Sequence, residues 1–366
     1  SKLIYIKRKT MKIILLTTAA LLAGVLQTDA CTGITLRVPD RGTVVARTIE
    51  WGGSDLNSRY VVVPRGYRQH SMLPDQKKGM LMPSRYGYVG LAVEMEQFVA
   101  EGINEAGLSA GLFYFPDYGR YEEYDPALAS SSVADLQLVA WMLGGYATVD
   151  EVMRALRGIH VVGLDPRAST VHWRITDATG RQVVLEIVDG HMQFFDSRLG
   201  VLTNSPGYEW QMTNLNNYVN LYAGAAPDKE FGAVRLAPFG AGSGMLGIPG
   251  DVTPPSRFVR AAFYQVTAPP RNTTLEAVMQ GFQILSNFDI PIGTEFAAGK
   301  IPADIPSATQ WTSATDIAAR KIYYRTMYNS AIRCIDLAQI DFGTITYRSE
   351  PLDEQKSQPV IDVEIR

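Results

Sequence analysis

Cysteine and histidine are scarce in this 366-residue chain: its two cysteines and four histidines (His70, His160, His172 and His191) are scattered along the sequence. Such spacing offers neither a disulfide framework nor the clustered ligands of a zinc site. Positive charge is not in excess either. A formal charge of −3, with no lysine or arginine stripe interleaved with aromatics, argues against nucleic acid as a partner. Beyond the first thirty residues no apolar run approaches the roughly 20 residues of a membrane-spanning helix. With 46% apolar and 19% charged residues, the chain has ample material for a buried core and is not of disordered composition.

The start of the chain has a different character. Lys12, the apolar run from Ile13 to Leu26, and then Thr28 and Ala30 at three and one residues before Cys31 have the order of a secretory leader. Cleavage before Cys31 is expected to export the protein to the periplasm and to leave residues 31–366 as a single domain beginning with cysteine. The cut removes five basic residues and one acid, which moves the formal charge from −3 to −7. A second reading stays open at this point, because a cysteine following a leader is also where a lipoprotein is acylated. That signal prefers a branched residue and then small ones where Thr28 and Asp29 stand.

From Cys31 onward β-branched runs dominate. CTGITLRV and TVVARTIEW flank a Pro39-Asp40-Arg41-Gly42 turn, and RYVVVPRGY, YGYVGLAV and FVAEGINEAGLSAGLFYF follow as strands. Helical periodicity appears in VADLQLVAWML and again after Thr148, where Thr148 and Glu151 suggest a capping box. The run from Ser169 to Asn204 reads as further strands forming a second sheet, EWQMTNLNNYVNLY, SRFVRAAFYQV and TLEAVMQGFQIL as helices, and ARKIYYRTMYN, SAIRCIDL and GTITYRSE as closing strands. Strand blocks and helix blocks are segregated, so the expected class is α+β, two sheets packed face to face with helices outside. Gly242-Ser243-Gly244-Met245-Leu246-Gly247 matches a phosphate-binding glycine pattern, but Pro249 and Gly250 follow at once, so the segment reads as a loop.

With histidines scattered, a nucleophile needs another proton acceptor. An N-terminal cysteine carries its own, since an α-amine has a pKa of about 7.7–8.0 and sits on the same residue as the thiol. Arg47 and Glu50 lie on the strand that pairs back toward Cys31, where a guanidinium would favour thiolate, although taken alone they read as a surface pair on a strand. Asn204, at a strand end before Ser205-Pro206, could point its amide into a cleft as an oxyanion donor, though by itself it reads equally as a turn asparagine. Trp51, Met82, Phe98, Phe113 and Phe115 are candidates for an apolar substrate mouth, each equally readable as core. Cys334 reads as a buried strand residue.

Taken in order, Cys31-Thr-Gly-Ile, ARTIEW, GINEAGLSAGLFYF, VLTNSPGYEWQMTNLNNY, GSGMLGIPGDVTPPSRFVRAAF and YYRTMYNSAI resemble the choloylglycine hydrolase family over essentially all of 31–366. The resemblance implies an N-terminal nucleophile hydrolase with a four-layer αββα sandwich that cleaves a linear amide without cofactor or metal. It assigns Cys31 as nucleophile, Arg47 as the arginine near the thiol, Asn204 and the backbone N–H of Tyr114 as oxyanion donors, and Arg257 as the distal active-site arginine. It also implies homotetramers, with 217–240 resembling the assembly segment. Glu50 stands where aspartate is usual in Gram-positive members, and Tyr114 where bile salt hydrolases often carry asparagine and penicillin V acylases tyrosine. The expected activity is conjugated bile salt hydrolysis, with penicillin V acylase or another acyl-amide acylase as alternative and a lipid-anchored binding protein as the reading of another class.

Overall fold

The computed structural model describes residues 30–164 and 169–366; the leader expected over 1–30 lies outside them except for Ala30. Strands β1 (Ala30–Val38) and β2 (Gly42–Glu50) form the expected hairpin, with Asp40 and Gly42 at positive φ making the reversal. Further along lie β3 (Arg59–Val63), β4 (Tyr88–Ala92), β5 (Val99–Asn104) and β6 (Ser109–Tyr114). They are followed by β7 (Val171–Thr176), β8 (Gln182–Val188) and β9 (His191–Asp196), and later by β10 (Thr309–Asp316), β11 (Lys321–Thr326), β12 (Arg333–Asp336) and β13 (Arg348–Pro351).

Two antiparallel sheets result. One has the order β1-β2-β10-β11-β12, the other β9-β8-β7-β6-β5-β4-β3-β13. The strands of 171–196 therefore extend the sheet begun by β3–β6, and do not found a second one. That second sheet is made by the N-terminal hairpin and the late strands, which meet when β10 pairs with β2. Cys334, on edge strand β12, is exposed, contrary to expectation, because no strand covers its open side.

Helices close both outer faces. α1 (Leu138–Gly145) is apolar all round and packs on β5 and β6, with α2 (Val149–Leu156) following it. Thr148 caps α2 by accepting from Glu151 N, while the Glu151 carboxylate reaches Ala147 N, one residue short of a reciprocal box. α3 (Tyr208–Asn214) is short, and α4 (Pro254–Thr267) and α5 (Thr274–Leu285) cover β1, β2 and β10. In α5 both halves of the Thr273/Glu276 box form.

The order helix, sheet, sheet, helix is the expected αββα sandwich, and β1 and β2 are buried on both faces because each face has a cover. Gly33 lets the sheets meet closely: a Cβ there would lie 2.9 Å from Phe113 and from Arg174 Nη1. The glycine-rich 242–247 segment is a loop with one 3₁₀ turn, as expected. Around it, 219–247 forms an arm on which Val219, Phe231, Val234, Phe239 and Leu246 are exposed and a small hairpin, 229–231 with 234–236, stands clear of both sheets. Among the described residues no helix is long and apolar enough to cross a membrane.

Candidate active site

Strand alternation sorts the site. Cys31 faces Ile49 across the hairpin and Gly33 faces Arg47, so the thiol and the Arg47 side chain project from the same face, toward the other sheet. Arg47 Nη2 lies 3.0 Å from Cys31 Sγ. The rest of that guanidinium is fixed by backbone carbonyls: its Nε donates to Thr48 O, and its Nη1 to Leu112 O and, at 3.3 Å, to Ala100 O. The Phe113 ring lies 4.1 Å below it. The opposite face of the hairpin presents Thr32, Thr48 and Glu50, with Ala30 opposite Glu50. Helix α4 brings Arg257 to that side, where Nη1 donates to Cys31 O at 2.6 Å and to Thr32 Oγ1 at 2.9 Å.

Asn204 ties the two halves together. Its Oδ1 accepts from Cys31 N at 3.0 Å and from Arg257 Nη2 at 2.7 Å, while its Nδ2 donates one hydrogen to Tyr114 O at 2.8 Å. A carboxamide has two N–H donors, so the second remains for an incoming oxygen. The Tyr114 backbone N–H is bonded to the Cys31 sulfur. Thus Cys31, Arg47, Glu50, Tyr114, Asn204 and Arg257, from three strands, one loop and one helix, come together in one place.

Electrostatics here are those of buried charge. Burial raises the Cys31 thiol above its ordinary range; Arg47, the Tyr114 N–H and Arg257 oppose this, and Glu50 adds to it. Burial pushes Glu50 up to about 8, Arg257 and the hydroxyls of Thr48 and Thr309 pulling the other way. Its Oε1 accepts from Thr309 Oγ1 at 3.1 Å. In this structure Cys31 still carries Ala30, which is 2% exposed and packed with Ile290 and Ala308, so the nitrogen beside Asn204 is a peptide nitrogen. It stands in for the amine that cleavage would release.

Two further buried ions were not singled out from the sequence. Glu101 Oε2 lies 3.7 Å from Arg47 Nη1 and 3.4 Å from Arg174 Nη2, so one carboxylate is shared by two guanidiniums between the sheets. A lone glutamate inside the apolar strand run FVAEGI was the available signal. The candidate mouth residues divide. Phe113 and Phe115 are fully buried, one ring under Arg47 and the other stacked on His172. Met82 and Phe98 are also buried, and Trp51 is half-buried beside Glu50. A cavity of about 320 Å³ lies elsewhere, lined by Arg37, Val38, Arg198 and Gln265 toward the far end of β1, remote from the thiol.

The family model for linear amide C–N hydrolases, choloylglycine hydrolase family, matches residues 31–355. The chain belongs to this family. Its match begins at Cys31, the residue around which the polar cage is built. A bile salt hydrolase/transferase of Clostridium perfringens is 29% identical over 84% of this chain and 92% of its own length. One from Lactiplantibacillus plantarum is 31% identical over 73% of this chain and 82% of its own. Among solved structures, a variant of the conjugated bile acid hydrolase from Clostridium perfringens superposes with a TM-score of 0.79 at 27% identity, covering 91% of this chain and 100% of that one. As a family member with this fold, the protein is a hydrolase of linear amides in the N-terminal nucleophile class.

Proposed function

We propose that the mature protein is a conjugated bile salt hydrolase that begins at Cys31. The observation that carries the mechanism is the placement of one sulfur between Arg47 Nη2 and the Tyr114 N–H, on the residue whose nitrogen meets Asn204. The amine freed at Cys31 takes the thiol proton, and the sulfur attacks the carbonyl carbon of the amide joining the steroid acid to glycine or taurine. The developing oxyanion is held by the free Nδ2–H of Asn204 and by the Tyr114 N–H, which turns from the sulfur to the oxygen as the new bond forms. Collapse breaks the C–N bond, the α-ammonium returns its proton to the leaving amine, and water then opens the thioester to give the free acid and the thiol.

Arg257 holds the Cys31 carbonyl and Asn204, so it fixes nucleophile and oxyanion donor to one another. Glu50, on the side of the hairpin opposite the thiol, supplies the carboxyl that pairs with the new ammonium. The steroid assignment rests on the activities named for the relatives at 29% and 31% identity. Export through the leader to the periplasm, and assembly of a homotetramer through the exposed arm at 219–247, complete the proposal.

Initial rates on taurocholate, glycocholate and penicillin V with one mature preparation test it. A conjugated bile salt is expected to exceed penicillin V in kcat/KM by at least about 10-fold, a margin that one apolar pocket supplies. The reverse order would move the protein to the penicillin V acylase reading that Tyr114 favours. Intact mass separates both from the lipid-anchored reading: a free N-terminal cysteine is expected, and a diacylglyceryl adduct would rule out the enzyme.

A further inference from the structure

We infer that His172 and Glu186 are a positioning pair that brackets residues 203–208 and so fixes the Asn204 carboxamide beside Cys31. The inference rests on the reading of Asn204 as an oxyanion donor. His172 on β7 and Glu186 on β8 lie side by side, one step beyond the Trp173 and Leu185 pair, and are 0% and 2% exposed. His172 Nε2 is 3.0 Å from Thr203 O, the carbonyl of the residue just before Asn204. Glu186 Oε1 accepts from Tyr208 N at 2.7 Å, four residues after it. The two side chains are joined to each other, Nδ1 to Oε1, at 3.1 Å.

Donor and acceptor logic fixes the arrangement. A carbonyl oxygen only accepts, so Nε2 carries a hydrogen. A carboxylate also only accepts, so the Nδ1 contact needs a proton of its own between imidazole and carboxyl. The ring is clamped by Phe115, stacked at 4.5 Å and 5°, which leaves it one orientation. Between the two anchored ends, Ser205 Oγ donates to Pro116 O, and Thr203 Oγ1 reaches Pro254 O at the start of α4. The segment carrying Asn204 is thus held at both ends by one buried pair and fastened in the middle.

A buried polar pair is a poor way to gain stability, because an apolar pair of equal volume stabilises as much or more. What it adds is direction. Moving Thr203 O by a fraction of an ångström would turn Asn204 Nδ2 away from the place where the oxyanion forms, and an oxyanion donor is worth about 10²–10³ in kcat.

The test uses the mature full chain with His172→Phe, which keeps the stacked ring, together with Asn204→Ala and the double variant. His172→Phe is expected to lower kcat by roughly 10- to 100-fold, part of the full oxyanion-donor effect. KM should change less than about 2-fold, and so should the rate of Cys31 alkylation by iodoacetamide, since the neighbours of the sulfur are untouched. Added to Asn204→Ala, it should cost almost nothing further, because the pair acts through that residue. Wild-type kcat in His172→Phe beside an impaired Asn204→Ala, or fully additive losses, overturns the positioning role alone. Wild-type kcat in Asn204→Ala overturns the oxyanion reading and the pair with it. Should His172→Phe not fold, Glu186→Gln, which keeps an acceptor for Tyr208 N, is judged by the same three measurements, and unchanged kcat there overturns the inference.

Discussion

Around Cys31 charged side chains are buried, and along the 219–247 arm apolar side chains are exposed. Arg47, Glu50, Glu101, Arg174 and Arg257 are all 2% exposed or less, whereas Phe231 is 65% exposed and Phe239 fully so. Each region inverts the usual sorting of residues, but the inversions have different remedies. The buried ions find partners within the chain, in backbone carbonyls, in one another and in Asn204. The exposed aromatics are not covered in a single copy, which is why the proposed contact between copies is placed there. The proposed chemistry lies where the chain pairs its own buried charges; the proposed assembly lies where it leaves apolar surface bare.

The largest effect expected from this contrast is at the sulfur. Cys31→Ala should remove turnover by on the order of 10³-fold or more while leaving the thermal melt within a few degrees, as read by release of free bile acid and by calorimetry. Retained turnover would detach the buried polar region from catalysis. Arg47→Met comes next. It leaves the buried Leu112 and Ala100 carbonyls without their guanidinium donor, so urea unfolding should show a loss of about 1–3 kcal/mol, and alkylation of Cys31 should need a higher pH than in the wild type.

Glu50 sharpens the comparison through pH. Its carboxyl titrates near 8 in the fold against 4.5 when exposed, so the neutral form is the one the fold favours. The stabilisation is complete below about pH 4.5 and is lost as pH rises toward 8. In the chain that keeps Ala30, Glu50→Gln should therefore lose less stability between pH 6 and pH 9 than wild type, by on the order of 1–3 kcal/mol in urea unfolding. An equal loss in both would show that the carboxyl is ionised throughout. The smallest effect on chemistry is expected from the arm: Phe231→Asp with Phe239→Asp should lower the mass seen in sedimentation toward that of one chain, with kcat altered less than about 2-fold. Unchanged mass would leave those aromatics without the assigned role.

Much of the site was readable because it is tied to one chain position. Once Cys31 is first, strand pairing alone brings Arg47 and Glu50 to it, and Asn204 and Arg257 follow from the family's order of motifs. The fold's central strand was not readable. β10, TQWTSATD, has no apolar alternation, because Thr309 and Gln310 are buried to bind Glu50, Trp51 O and Ser54 O. His172 was equally hidden: a single histidine in a strand looks like core or surface, and only its two bonded neighbours distinguish it. Nor could sequence decide which sheet receives 171–196, since pairing of β7 with β6 is a long-range choice that local pattern does not encode.

At Gly33 the Phe113 ring of the facing sheet comes so near the backbone that an added Cβ would lie 2.9 Å from it. A methyl group at that point would act as a wedge, lifting Phe113 off Arg47 and prying the reacting strand away from its facing wall. The interior beneath the sulfur is therefore closed to remodelling, and any retuning toward a bulkier or slimmer acyl group has to be carried by the loops that rim the strand ends.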